Sequence, residues 1–246
     1  MILYPAIDIL DGRAVRLTKG DFDAQTVYDE HPLAAARGWV EQGATHLHVV
    51  DLDGAKAGAP VNLEHLRRIA RDSGVPVQFG GGLRATGSIE RAFEAGAARV
   101  ILGTAAFSDP DLLDHALTAW PERVLVSVDV RGGRVATRGW TDTVDGAPAT
   151  VIARLLERGA NRLVYTNVDR DGMLQGPDLD EVRAVAEAAR AEARAGSLIY
   201  SGGIGQLDDL RNLAGLGSPA LDGVIVGKAL YERRFTVAQA LEALAG

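Results

Sequence analysis

Short apolar runs alternate with longer amphipathic ones along the chain. The strand candidates are Ile2–Asp8, His46–Asp51, Val75–Phe79, Val100–Leu102, Val124–Asp129, Arg162–Thr166, Ser197–Tyr200 and Gly223–Val226. Each is short, mostly apolar and bounded by Gly, Asp or other turn formers, the pattern of parallel strands buried on both faces. Between them the spacing predicts helices near 32–42, 62–72, 86–95, 110–119, 147–158, 178–195, 206–214 and 236–244. In the second of these, Leu63, Leu66, Ile69 and Ala70 make one apolar stripe at helical spacing. Asp109-Pro110 reads as an N-cap followed by proline at the first helical position. Gly43, Gly74, Gly96 and Gly159 fall where helices end on glycine.

Eight strands alternating with eight helices predict parallel β/α units. Eight such units can close into a (β/α)8 TIM barrel, here expected as one domain over residues 1–246. An open doubly wound sheet is the alternative. An internal duplication of four units plus four favours closure. YPAIDILDGRAVRL matches VLVSVDVRGGRVATR, which sets Asp8 on Asp129. VQFGGGLR matches LIYSGGIG and RVILGTAA matches GVIVGKAL, which sets Gly81-Gly82 on Gly202-Gly203 and Gly103 on Gly227. Between these, HVVDLDG against TNVDRDG sets Asp51 on Asp169 and Asp53 on Asp171.

In such a barrel the strand C-termini form the active face. Asp8, Asp51, Gly80 to Gly82, Gly103-Thr104, Asp129, Thr166-Asn167, Ser201 to Gly203 and Gly227-Lys228 all lie at or just past strand ends. The loops at the opposite end are short and are expected to carry little chemistry. The longest connections, about 9–30 and 130–146, each follow a strand-end aspartate and are expected to act as mobile covers.

Net charge is −7 with a pI near 5.3, which argues against a nucleic-acid surface. The absence of cysteine excludes disulfides, thiolate metal sites and cysteine nucleophiles. The opening MILYPAIDIL has no basic segment and meets an aspartate early, so it reads as a buried strand rather than a signal peptide. No apolar run approaches the roughly 18 residues of a membrane span. The expected location is cytoplasmic, with neither membrane nor nucleic acid as partner.

The glycine loops carry the first candidate chemistry. Gly80-Gly81-Gly82 and Ser201-Gly202-Gly203 each follow a strand and precede a helix. Glycine lets a phosphate approach backbone N–H groups, and the helix dipole then favours the anion. Gly103-Thr104 and Gly227-Lys228 follow the next strand in each half and complete two possible cups, with Lys228 adding a point charge. One isolated pair of glycines reads more readily as a tight turn; two matched pairs favour a ligand with two phosphate ends. Asp8 and Asp129 end apolar strands that face each other across a barrel, where two carboxylates can divide acid and base roles. A single such aspartate reads equally well as a loop cap. Asp171, in DRDGM, is a third candidate, or an Asp-Gly turn.

Arg138-Gly139-Trp140 lies in the second long connection, where the indole can close over a heterocyclic ring or anchor its own loop. Arg16 in the first connection reads as a phosphate contact or a surface charge. No calcium-loop motif, zinc-spaced histidine pair or G-x-S-x-G occurs. His46 and His48 share one strand face and are expected to be packed or hydrogen-bonded. No metal and no cofactor is expected.

Taken together, PAIDILDGRAVRL, TVY, LHVVDLDGA, VQFGGGLR, ARVILGTAA, SVDVRGGRVATRGW, RDGML, SGGI and VGKALY resemble, nearly end to end, the phosphoribosylformimino-5-aminoimidazole carboxamide ribotide isomerases (HisA) of histidine biosynthesis. The resemblance implies a duplicated (β/α)8 barrel that converts a bisphosphorylated aminoaldose (ProFAR) to an aminoketose (PRFAR) by an Amadori rearrangement, without metal or cofactor. It implies Asp8 as general base and Asp129 as general acid, with Asp171 matching an acid given that role in some members. It implies phosphate cups of Gly81, Gly82, Gly103, Thr104, Ser201, Gly202, Gly203, Gly227 and Lys228, and a polar active-site position at Thr166. The family often reads TDISRDG where this chain has TNVDRDG, so Asn167 replaces an acid.

Three other readings compete. The sister cyclase subunit of imidazole glycerol phosphate synthase usually has a cysteine before the first aspartate and a lysine after the second; here the residues are Pro5-Ala6-Ile7 and Arg131. A dual-substrate isomerase acting also on phosphoribosyl anthranilate is compatible with Arg138 and Trp140, but that group tends to read SGG where this chain has Gly80-Gly81-Gly82. A non-catalytic phosphoribosyl-ligand sensor has no need of two facing carboxylates. A monomer bound to a small bisphosphate is the expected state.

Overall fold

The computed structural model describes residues 1–18, 21–29, 31–137, 142–144, 146–192 and 196–245; the side chains of 16–18, 21–25, 27–29, 137, 142–144 and 191–192 are not described. The strands are β1 (Ile2–Leu10), β2 (Arg13–Thr18), β3 (Asp21–Asp29), β4 (Leu47–Asp51), β5 (Val77–Gly80), β6 (Arg99–Leu102), β7 (Val124–Arg131), β8 (Arg134–Thr137), β9 (Asp142–Val144), β10 (Leu163–Asn167), β11 (Leu198–Ser201) and β12 (Leu221–Val226). Eight of them form a ring of parallel neighbours in the order β1-β4-β5-β6-β7-β10-β11-β12, and β12 pairs again with β1. This is the closed (β/α)8 barrel that the alternation predicts.

The two long connections contain antiparallel strands. β2 folds back on β1 and β3 on β2, while β8 folds back on β7 and β9 on β8. Asp8 pairs with Val15 in the first hairpin and Asp129 with Ala136 in the second, so the duplication includes these hairpins. Each candidate acid therefore sits where a barrel strand leaves the ring and continues as an arm above it.

The helices are α1 (Pro32–Glu41), α2 (Leu52–Ala57), α3 (Leu63–Ser73), α4 (Thr86–Glu94), α5 (Thr104–Ser108), α6 (Pro110–Ala119), α7 (Pro148–Glu157), α8 (Leu179–Glu192), α9 (Leu207–Gly215), α10 (Lys228–Tyr231) and α11 (Val237–Ala245). The eight anticipated helices are present. α2, α5 and α10 are additional, and each is too short for a periodic apolar stripe to announce it. The α3 stripe packs as expected, with Leu66 and Ile69 fully buried, each such side chain contributing about 1.5–3 kcal/mol. Asp109 accepts from Leu112 N at 3.0 Å, the expected cap of α6. Gly43, Gly74, Gly96 and Gly159 all adopt positive φ at helix ends.

The main core lies between the helices and the outer faces of the strands. A second cluster fills the barrel interior: Tyr4, Ala6, Ile101, Leu125, Val164, Ile199 and Ile225. Below it, the strand starts carry more polar chemistry than expected. Arg99 donates to Tyr4 Oη at 3.3 Å, Arg162 lies 3.6 Å from Asp222, and His46 meets the Tyr4 ring edge-on. Burial raises the Tyr4 phenol pKa and lowers that of His46, with Arg99 reinforcing the second shift. These groups fill the strand starts, whereas the cavity opens at the strand ends.

The paired glycines are fixed by close backbone approach. Gly81 and Gly202 both have φ +110. A Cβ on Gly81 would lie 2.2 Å from Asp51 O, and one on Gly202 would lie 2.6 Å from Asn167 O. Gly81→Ala and Gly202→Ala are each expected to lower stability by on the order of 3 kcal/mol. Gly38→Ala, inside α1 with nothing within 4 Å of its Cβ, is expected to raise it by about 0.5–1 kcal/mol. Urea denaturation measures all three, and equal midpoints would remove the steric account.

Candidate functional site

A cavity of about 300 Å³ opens at the C-terminal ends of the barrel strands. Asp8, Asp129 and Asp171 all line it, together with Gly81, Gly82, Gly103, Thr104, Thr166 and Ser201. Gly202, Gly203, Gly227 and Lys228 line a small polar recess beside it, which shares Asp171, Ser201 and Ile225 with the cavity. Asp8 on β1 and Asp129 on β7 are four strands apart in either direction around the ring, so they stand on opposite walls. The two glycine pairs, after β5 and β11, are opposed in the same way. Arg16 lies on β2, but its side chain, like Arg138 and Trp140 altogether, lies outside the described residues.

The strand pairing corrects one correspondence between the halves. Asp8 neighbours Val50 on β4, and Asp129 neighbours Thr166 on β10. Val50 therefore answers to Thr166, Asp51 to Asn167, Asp53 to Asp169 and Ala55 to Asp171. Three contacts agree. Asp53 Oδ2 accepts from Asp11 N at 2.9 Å and Asp169 Oδ2 from Gly132 N at 2.6 Å. Asp51 Oδ1 accepts from Gly54 N and Asn167 Oδ1 from Arg170 N, each three residues on. Asp51 O faces Gly81 as Asn167 O faces Gly202. The sequence match of Asp51 to Asp169 and Asp53 to Asp171 is displaced by two residues. A shift of two preserves the inward and outward alternation of a strand, so hydrophobic pattern alone does not reject it.

Asp171 thus has no acidic counterpart in the first half; Ala55 occupies its place and also lines the cavity. Asp171 sits in the turn between β10 and α8, which is held at several points. Lys228 Nζ donates to Gly172 O at 2.9 Å, Arg170 Nη1 donates to Gly176 O at 3.0 Å, and Gly176 N donates to Gly203 O at 2.9 Å. Lys228 therefore ties the Asp171 turn to the second glycine recess.

Around the two opposed aspartates the halves also differ. Ser127 Oγ donates to Asp129 Oδ1 at 2.6 Å, whereas the equivalent residue near Asp8 is Ala6. On the neighbouring strand, His48 lines the cavity on the Asp8 side and its equivalent is Val164. Gln78 Nε2 meets His48 Nδ1 at 2.9 Å, so His48 is hydrogen-bonded as expected and is also a wall of the site. Ser127 and Ala55 were not singled out from the sequence, and the sequence marks His48 only as a packed or hydrogen-bonded residue. Strand parity could have found Ser127 and His48 as walls of the site, since Ser127 shares the inward face of Asp129, and His48 that of Val50.

Asp51 is fully buried and accepts four hydrogen bonds: from Gly54 N at 2.8 Å, Val61 N at 2.7 Å, Asn62 N at 2.8 Å and Asn62 Nδ2 at 2.7 Å. Its carboxylate organises the loop against the first glycine pair and has no contact with open space. Among the described residues no group of three or more His, Cys, Asp or Glu side chains is placed to hold a metal ion, and no helix is long and apolar enough to cross a membrane.

Comparison with known proteins agrees with this architecture. Residues 2–236 match the family model described as histidine biosynthesis protein. A Dinoroseobacter shibae protein is 49% identical over 246 residues, covering 100% of both chains, and one from Brevibacillus brevis is 47% identical over 245 residues, covering 100% of this chain and 96% of its own. A Moorella thermoacetica protein is 46% identical over 243 residues, covering 98% of this chain and 97% of its own. All three are named 1-(5-phosphoribosyl)-5-((5-phosphoribosylamino)methylideneamino)imidazole-4-carboxamide isomerase. The chain belongs to the histidine biosynthesis protein family.

Asp51→Asn offers one oxygen where four donors converge and brings an NH2 group against N–H groups. It is expected to cost on the order of 3 kcal/mol in stability. Thermal unfolding checks this, and an unchanged midpoint would show that the acceptor count does not hold the loop.

Proposed function

We propose that this chain is an aldose–ketose isomerase that converts a bisphosphorylated aminoaldose, ProFAR, to the aminoketose PRFAR in histidine biosynthesis, within one barrel domain. The observation that carries the reading is the convergence of Asp8, Asp129 and Asp171 on one cavity set between two opposed glycine pairs. The names of its relatives supply the substrate.

In this reading the glycine loops with Gly103-Thr104 and Gly227-Lys228 hold the two phosphates, and the sugar to be opened lies between the opposed acids. A general acid gives a proton to the ring oxygen as the C1–O bond breaks, and the nitrogen lone pair forms the C1=N bond. Asp8 then takes the proton from C2, and the electron pair of that C–H bond moves to form an enaminol. Loss of the hydroxyl proton and addition of a proton at C1 give the ketone. Along this enaminol route C1 is reduced and C2 oxidised by electron pairs that stay within the substrate, so the protein has only to move protons. This supports a reaction without metal or cofactor.

Asp129 and Asp171 are the two candidates for the acid. Ser127 orients Asp129, while the Lys228 contact to Gly172 links Asp171 to the phosphate recess. Thr166 supplies a hydroxyl at the wall between them, and Arg16, Arg138 and Trp140 are assigned to the substrate from their residue types and their places in the two long connections. The enzyme is read as a cytoplasmic monomer.

Asp8→Asn is expected to lower kcat by at least about 10³-fold with KM within a few-fold of the parent, because a positioned base is lost and the phosphate contacts are kept. Steady-state kinetics with the bisphosphate aminoaldose decide this; a large rise in KM with unchanged kcat would sink the base assignment. Separately, turnover is expected to be unchanged after dialysis against EDTA. Loss of activity restored by a divalent cation would overturn the metal-free reading.

A further inference from the structure

Asn167 is buried at the end of β10 and answers to the fully buried acid Asp51 of the first half. Its amide does two different things. Oδ1 accepts from Arg170 N at 3.2 Å, and Nδ2 donates to Glu181 Oε2 at 2.5 Å. Tyr165 Oη donates to the other Glu181 oxygen. Tyr165 is pushed well above the ordinary phenol range by burial and then by Glu181, so it keeps its proton and acts as donor. Glu181 thus accepts on both oxygens, once from β10 through a phenol and once through an amide. Asp178, which accepts from Glu181 N at 3.2 Å, also takes a charge contact from Arg170 at 3.4 Å. A carboxylate at 167 can supply the acceptor for Arg170 N but has no donor for Glu181.

We propose that Asn167 and Glu181 together are a positioning pair that clamps the start of the β10–α8 turn to α8 and thereby sets Asp171 at the cavity. The pair lies behind the barrel wall: Tyr165 and Asn167 alternate with the inward-facing Val164 and Thr166, so neither partner touches substrate. Arg170, whose N–H Asn167 holds, directly precedes Asp171. The first half achieves the same anchoring with a carboxylate on the strand end and an amide on Asn62. The second half places the amide on the strand end and the carboxylate on the helix. The chemistry of the pair is the same and its polarity is reversed. The acid of the second-half pair is therefore Glu181.

The proposal rests on reading Asp171 as a substrate-facing acid. The groups that face the pair are Tyr165 on β10, Tyr200 on β11, Arg170 and Asp171 in the turn, and Asp178 beside α8. The test uses Asn167→Asp, Glu181→Gln and the double variant in the full chain, assayed on the bisphosphate aminoaldose between pH 6 and pH 8.5. Asn167→Asp sets two carboxylates in contact and is expected to lower kcat by about 10- to 100-fold at pH 8, with KM within a few-fold of the parent. Its activity is expected to recover toward pH 6, where one of the two acids takes a proton and restores a donor. Glu181→Gln either sets two NH2 groups against each other or requires the Tyr165 hydroxyl to turn and accept from the new NH2, and is expected to lower kcat at every pH. The double variant restores one donor and one acceptor and is expected to return kcat to within about 3-fold of the parent. Should Asn167→Asp fail to fold, Glu181→Gln and the double variant still read the same contact. Parental turnover in Glu181→Gln, or a double variant no better than the worse single, overturns the proposal. An Asp171→Asn variant with parental kcat sinks the reading of Asp171 itself, and an inactive parent sinks the reading of the substrate; neither result resembles a failed rescue.

Discussion

The steric contact between a strand-end carbonyl and the glycine that opens the next loop underlies both halves of this barrel. Asp51 O meets Gly81, and Asn167 O meets Gly202, at distances that leave no room for a Cβ. Because the backbones touch, each βα loop leans onto the next strand's loop. The chain at Asp51 then turns with its amides pointing inward, and buried N–H groups must find acceptors. Asp51 supplies four such acceptor contacts from one carboxylate. Glycine and strand-end polar residue are thus two parts of one solution. The glycine permits the approach, and the polar side chain satisfies the amides that the approach buries.

This constraint explains why the glycine repeat was legible in the sequence. A residue without a side chain, forced by a positive φ and by contact, is visible wherever the contact recurs. The barrel was legible for a similar reason: eight apolar runs and eight stripes are each dictated by burial. The register between the halves was not. Matching DLDG to DRDG is natural in letters, yet the strands pair Asp8 with Val50 and Asp129 with Thr166. Both registers put the same faces inward, so only the hydrogen bonds distinguish them. The hairpins after β1 and β7 were equally hidden, since arms projecting from a barrel lack the continuous burial that marks ring strands. His48 and Ser127 were readable by parity but not by type, because one histidine or serine on an apolar strand is more often a packing residue than a wall of a site.

With the register corrected, the differences between the halves fall into a pattern. The outward contacts correspond: Asp53 and Asp169 each accept from the arm above, and Asp51 and Asn167 each accept from the turn that follows. The inward positions differ: Ala6 against Ser127, His48 against Val164, Val50 against Thr166, and Ala55 against Asp171. Every one of these pairs lines the cavity. Asp8 and Asp129 are alike in strand position and unlike in surroundings. One stands beside a histidine wall, and the other is hydrogen-bonded by a serine and neighboured by a threonine.

Such a division follows from packing density. Residues wedged between strand and helix, or between two loops, are constrained by close contact, and a change of one atom is felt. Residues facing a cavity of about 300 Å³ have no such neighbours on one side. The cavity wall is where two copies of one half can diverge without loss of stability. On the proposed reading, a substrate with two phosphate ends uses the symmetric part, which steric contact maintains, and proton transfer across one sugar uses an asymmetric pair of acids, which the open wall permits. Asn167 and Glu181 carry this one layer outward. Reversing the polarity of the anchoring pair leaves the second-half strand end still bonded to the element that follows, while that turn presents Asp171 where the other presents only Ala55.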